Sequence, residues 1–170
     1  MTLTGDPASV SQVGSSLRRL AEQLRRDERR LRAALPPDQP RGGAALVRAR
    51  RRADHLAAAL ERTVAELDRA GSALQDHSQD LGEGVAIGRA VGHRAESAGL
   101  THSRGTVTPQ WGVSGVADED AATEQSRARE DLQQELDSAA TILARRRQRL
   151  VQLLHDSTQA LGHEASSLRG

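Results

Sequence analysis

The chain has 170 residues, enough for one domain, yet only 36% are apolar and 1% aromatic, with Trp111 alone and no Phe or Tyr. That composition argues against a rounded globule, which would normally bury several aromatic rings, and for long helices meeting along Leu, Ala and Val seams. Charge is abundant at 28% with a net +1, every one of the 24 basic residues is Arg, and the lack of Cys excludes disulfides, thiol nucleophiles and thiolate metal sites.

Five prolines, at 7, 36, 37, 40 and 109, divide the chain into three segments. None fits comfortably inside a helix, since proline removes an N–H and clashes with the preceding turn. The first segment opens with Asp6 as N-cap and Pro7 as first helical residue. Val10, Val13, Leu17, Leu20 and Leu24, with Leu31 and Ala34 or Leu35 after a gap, then follow the 3–4 spacing of one buried stripe. Asp27 falls in a gap of that stripe, where it should lie at the edge and pair with Arg. The spacing predicts a helix over residues 7–35, closed by the turn "LPPDQPRGG".

The second segment carries Leu46, Ala49, Ala53, Leu56, Leu60, Val64, Leu67, Ala70, Leu74 and Leu81, which predicts a helix over 41–98. Its later part is "GEGVAIGRAVGH", with Gly82 and then Gly84, Gly88 and Gly92 four apart. Neither a P-loop nor a dinucleotide fingerprint fits: there is no Lys, Ile87 stands where the last glycine is needed, and no strand precedes it. Spacing of four puts Gly84, Gly88, Gly92 and then Ala95 on one helix face, open to close approach by another helix. A continuous helix, or one kinked at 82–84, is favoured over a break, because Val85, Ile87 and Val91 keep supplying apolar contact. Gly99 is suited to a left-handed stop, with Leu100 making the hydrophobic contact after it.

The connection over 99–117, "THSRGTVTPQWGVSGVA" with its flanks, is expected to be flexible, with a small hairpin around Ser103–Gly105. Asp118, Glu119 and Asp120 suit the start of a third helix, 118–168, through its dipole. Its stripe is Leu132, Leu136, Ala139, Leu143, Leu150, Leu153 or Leu154, Leu161, Ala165 and Leu168. The expected architecture is therefore all-α: one domain over 1–170, an elongated antiparallel three-helix bundle whose first helix covers only the first half of the second.

Charge is unevenly spread. Residues 1–52 hold 12 Arg and 5 acids, and residues 53–170 hold 12 Arg and 18 acids, so the two parts carry +7 and −6. Such asymmetry permits electrostatic self-association or steering of a charged partner. The runs "RRDERRLR", "RARRR" and "RRRQR" open a second reading, an Arg-rich binder of nucleic acid or an anionic surface. No aromatic residue interleaves them, so base stacking is missing and nucleic acid is disfavoured. The six His form neither HxxxH nor HExxH, and no GxSxG is present. No catalytic residue, cofactor, metal or small-molecule substrate is expected. The opening "MTLTGDPASV" lacks the basic and apolar regions of a secretory signal, and no apolar run reaches ~18 residues. A cytoplasmic protein is expected, with signal-peptide-independent secretion open to it.

The stretches "GDPASVSQVGSSLRRLAEQLRRD" and "ALQDHSQDLGEGVAIGRAVGHRAESAGL" resemble the helical hairpin of actinobacterial WxG-superfamily proteins associated with type VII secretion, over about residues 5–100. Those proteins carry Trp-x-Gly in the hairpin turn and an export signal with Tyr three residues before an acid. Here the turn has no Trp, the one Trp-Gly is Trp111-Gly112, and there is no Tyr. The resemblance implies a binding or structural component: a cytosolic partner, or a subunit exported with one that bears the signal. The partner is expected to be the chain itself or another helical protein. The expected docking residues are Gly84, Val85, Gly88, Val91, Gly92 and Ala95, with Trp111 either an aromatic anchor for the partner or a cover for the end of the bundle.

Overall fold

The computed structural model describes residues 6–34, 43–110 and 119–169. Helices α1 (Pro7–Ala34), α2 (Ala44–Ser97) and α3 (Glu119–Ser167) lie within a few residues of the expected bounds. The α-helical expectation needs one addition. Strands β1 (Leu100–Ser103) and β2 (Thr106–Pro109) pair antiparallel, with His102 opposite Val107 and Ser103 opposite Thr106. The start of the expected flexible connection is thus an ordered hairpin, and its residues 111–117 lie outside the described residues. Arg104 (φ 52°) and Gly105 (φ 80°) form its two-residue turn, and two positive φ values match the right-handed twist of the strands. Gly99 (φ 66°) stops α2, and Leu100 after it is 1% exposed. Between its ends α2 is unbroken, passing through Gly82 and Gly84 as helix.

Contacts within the chain gather into two units. The three-helix unit holds α1 from Ala8, α2 as far as Asp76 and α3 from Leu150. Its centre is Ala21, Val64 and Leu67, with Leu17, Leu24 and Leu161 packed against them, one set from each helix. Leu17, Leu24, Val64, Leu67 and Leu161 belong to the expected stripes, but Ala21 takes the central place in α1, and Val13 and Leu20, expected in its stripe, are 53% and 44% exposed. Arg32 pairs with Glu61, Arg25 with Asp68, and Arg18 donates to Gln75, so α1 descends as α2 ascends. Arg62 with Glu164 and Arg69 with Ser157 set α3 antiparallel to α2 in the same way. Asp27 sits at the edge and pairs with Arg30 at 3.4 Å.

In this unit α1 and α2 approach closely at two glycines. A Cβ on Gly14 would lie 2.8 Å from the Gly71 carbonyl oxygen, and one on Gly71 would lie 2.9 Å from the Gly14 carbonyl oxygen. Only the lack of a side chain at both positions lets the backbones touch.

The hairpin unit holds α2 from His77, both strands, and α3 as far as Arg149. Its core is Val91, Ala95, Leu100, Val107, Leu132 and Leu136, with Ile87, Ala98 and Ala128 alongside. Leu100 and Val107, one per strand, fill the place that a third helix would otherwise take. Two glutamines of α3 hold the hairpin and the end of α2. Gln133 Oε1 accepts from the Val107 N–H at 3.0 Å while its Nε2 donates to the Gly105 carbonyl, and Gln125 Nε2 donates to the carbonyls of Ala98 and Gly99. Arg94–Glu135 at 2.6 Å and the pair Arg146–Asp80 flank the α2–α3 seam.

Candidate interaction surfaces

The expected docking residues divide into two groups. Val91 and Ala95 are 0% exposed and packed against the chain's own hairpin and α3. The helix that meets this part of the glycine face is therefore α3 of the same chain, joined by β1 and β2. Gly84, Val85, Gly88 and Gly92 instead line a cavity of about 530 Å³ with His102, Arg104 and Leu136. A Cβ on Gly92 would lie 3.7 Å from His102 Nδ1, ordinary contact, so this glycine is not forced by close packing. Trp111 lies outside the described residues.

The cavity has the volume of a small-molecule site but not its lining. Arg89 and Arg104 are balanced by Glu96 and Asp137, so its formal charge is zero with neutral histidines. His93 approaches Glu96 at 3.9 Å on the exposed side, and Asp137 accepts from Gln133. His102 Nε2 is buried without a hydrogen-bond partner, as is Nδ1 of the buried His77. Among the described residues no three His, Asp or Glu side chains gather as a metal site requires, and no helix is long and apolar enough to cross a membrane.

The start of α2 offers a different surface, and the heptad pattern did not mark it as special. Arg32–Glu61 and Arg62–Glu164 are the ion pairs of α1 and α3 nearest that end. Antiparallel pairing from those points brings Ala34 and Arg169 level with roughly residue 58 of α2 at the common rise per residue. Residues 44–56 run on past both, and every residue from 44 to 49 is exposed. Their stripe, Leu46, Ala49, Ala53 and Leu56, continues the seam that Leu60, Val64 and Leu67 bury further along. Here Leu46 is 38% exposed, Leu56 37% and the neighbouring Val47 46%. Around the stripe stand Arg48, Arg51 and Arg52, all exposed and without an ion pair or hydrogen bond among the described residues.

The covered part of α2 shows how such a seam is normally finished. Arg25–Asp68, Arg32–Glu61 and Arg62–Glu164 each bridge two helices beside the apolar stripe. Arg62 donates two bonds to Glu164, at 2.7 and 2.9 Å, and this hydrogen bonding holds the Glu164 carboxyl below its ordinary range and raises Arg62. At 44–56 the stripe and the arginines are present, while the second helix and its acids are not among the described residues.

Comparison with family models, curated proteins and solved structures gave no match.

Proposed function

We propose that the chain is a non-enzymatic helical interaction protein that works as a component of a type VII secretion locus. The observation that carries the interaction reading is the seam at residues 44–56, an apolar stripe in register with a buried one, exposed at Leu46 and Leu56 and edged by Arg48, Arg51 and Arg52, which have no ion pair or hydrogen bond among the described residues. A heptad stripe of Leu and Ala fits a helix groove better than a bilayer, because its small residues allow close backbone approach and offer little to insert into lipid. The secretion reading rests on the resemblance of residues 5–100 to WxG-superfamily hairpins. The antiparallel three-helix bundle is part of this proposal, supported in each unit by helices that pair antiparallel.

The test is recovery of partners from the source cell, with Leu46→Ser/Leu56→Ser as the matched control. Both positions are more than a third exposed, so the variant should fold like the wild type by circular dichroism. The expected result is a helical protein, encoded beside a secretion ATPase, that the variant retains less well than the wild type. Identical recoveries from the two would remove the proposal. The Arg-rich anionic-surface reading predicts instead that binding follows Arg48, Arg51 and Arg52 alone and is unchanged by the two Leu substitutions.

A further inference from the structure

The glycines of α2 are spread unevenly, and those at its end gain little in return for their cost. Residues 44–76 hold one, Gly71, whereas residues 77–97 hold four, Gly82, Gly84, Gly88 and Gly92. Each interior glycine weakens a helix relative to Ala. Gly71 lets α1 approach, since a Cβ there would meet the Gly14 carbonyl oxygen at 2.9 Å. Gly82 has nothing within 4 Å of a Cβ, and Gly84, Gly88 and Gly92 line a cavity. Two further costs sit in the hairpin that closes over the same part of α2. Arg104 holds φ 52°, a left-handed value unfavourable for a residue with a side chain, and His102 Nε2 is buried without a partner. All three costs disappear when this region opens to water.

The facing helix is built differently. Residues 119–149 of α3 contain no glycine and no proline and are rich in Ala, Arg, Glu, Gln and Leu, all strong helix formers. They run without a break into the part of α3 held by the three-helix unit, so they need no nucleus of their own. The end of α2 and the two strands, by contrast, depend on each other. Val91 and Ala95 from α2, Leu100 and Val107 from the strands, and Leu132 and Leu136 from α3 form one core. Loss of the strands leaves Val91 and Ala95 covered on one side only.

We infer that α2 from about Gly82 and the hairpin open together as one cooperative unit, while the facing part of α3 stays helical and the three-helix unit stays folded. The hairpin is then a strap over α3, and its opening bares the apolar pair Leu132 and Leu136. Gln125 and Gln133 are its latches, bonding the end of α2 and the strands from α3.

The experiment is native-state hydrogen exchange of the full chain, read by mass spectrometry in urea below the main unfolding transition. Residues 85–97 and 100–108 should share one opening constant, at least about tenfold above that of residues 57–74 and above that of residues 128–143. Gly82→Ala should lower it about four- to fivefold in both segments, although Gly82 lies in neither. Gly82→Ala/Gly92→Ala should lower it roughly 15–30-fold, since the sites are apart and both have room for a methyl group. Gln133→Ala should raise exchange about fivefold or more at Val91 and Ala95 as well as at Val107, whereas a purely local bond would affect Val107 alone. Equal protection of residues 85–97 and 57–74 overturns the inference. So does a Gly82→Ala effect that stops short of the strands, or an opening constant for residues 128–143 equal to that of 85–97.

Discussion

Gly14 and Gly162 lie in the same three-helix unit, and replacing each by Ala should change stability in opposite directions. Around a Cβ at Gly162 there is nothing within 4 Å. Gly162→Ala therefore collects the full helix-propensity difference of about 0.8–1 kcal/mol. A Cβ at Gly14 meets the Gly71 carbonyl oxygen at 2.8 Å, Gln75 Cγ at 3.2 Å and Leu74 Cβ at 3.2 Å. The glutamine can turn away, but the backbone oxygen cannot, so α1 must move off α2 by several tenths of an ångström. That loosens the contacts of Ala21 with Val64 and Leu67. Overpacking of this kind costs about 1–3 kcal/mol, and the propensity gain recovers roughly 1 of it. Gly14→Ala should thus be about 1 kcal/mol less stable than wild type, and some 2 kcal/mol less stable than Gly162→Ala. For a chain of this length that difference is about 4–8 °C in Tm, measurable by far-UV circular dichroism on heating or in urea. Separate unfolding of the two units would appear as two transitions, and the comparison then applies to the one that both substitutions shift. If Gly14→Ala stabilises as much as Gly162→Ala, the close crossing of α1 and α2 is wrong.

Removing the Gln133 side chain by Gln133→Ala should cost about 1–2 kcal/mol, because the N–H of Val107, a residue 4% exposed, loses its acceptor, and amide exchange at Val107 should accelerate. Arg104→Asn should stabilise the hairpin by about 0.5–1 kcal/mol, since Asn tolerates positive φ better than Arg, and exchange protection in β1 and β2 should rise. The Arg62 hydrogen bond lowers Glu164 from an ordinary 4.5, so ionised Glu164 stabilises the fold above that value and the contribution is lost as pH falls through the lower folded value. Glu164→Gln should therefore flatten the acid limb of the stability profile below about pH 4.5 while leaving its alkaline limb unchanged, as measured by urea unfolding across pH.

The helices were legible because their stripes have the period of a helix and proline and glycine mark their ends. The left-handed Gly99 with Leu100 behind it, and the turn at Arg104 and Gly105, were also within reach of local rules. What covers a stripe was not. The spacing of Gly84, Gly88 and Gly92 says that they share a face, and it suggests another helix against it. In the structure these three line a cavity, and a close helix crossing is found instead between Gly14 and Gly71. Those two are 57 positions apart and on different helices, so no spacing rule joins them. Close approach needs a small residue on each side, and one helix's sequence supplies only one side. Likewise Gln125 and Gln133 look like ordinary surface glutamines until the hairpin gives them backbone groups to satisfy.

The exposed residues at the start of α2 also set what kind of partner can hold it. Fully burying a Leu or Val is worth about 1.5–3 kcal/mol, so covering the remaining exposed fractions of Leu46, Val47 and Leu56 yields roughly 2–3.5 kcal/mol together. Association costs at least ~4 kcal/mol in lost translational and rotational freedom. Apolar contact along this stripe therefore cannot hold a partner by itself, and the balance must come from the arginines beside it. Exposed ion pairs contribute little singly, about 0–1 kcal/mol, but several at one seam can together close the gap at low salt. A docking surface of this composition is consequently weak, salt-sensitive and selective for acidic helices. Replacing Arg48, Arg51 and Arg52 by Gln should abolish binding that the two Leu substitutions only weaken, an order of effects that an ordinary hydrophobic interface would reverse.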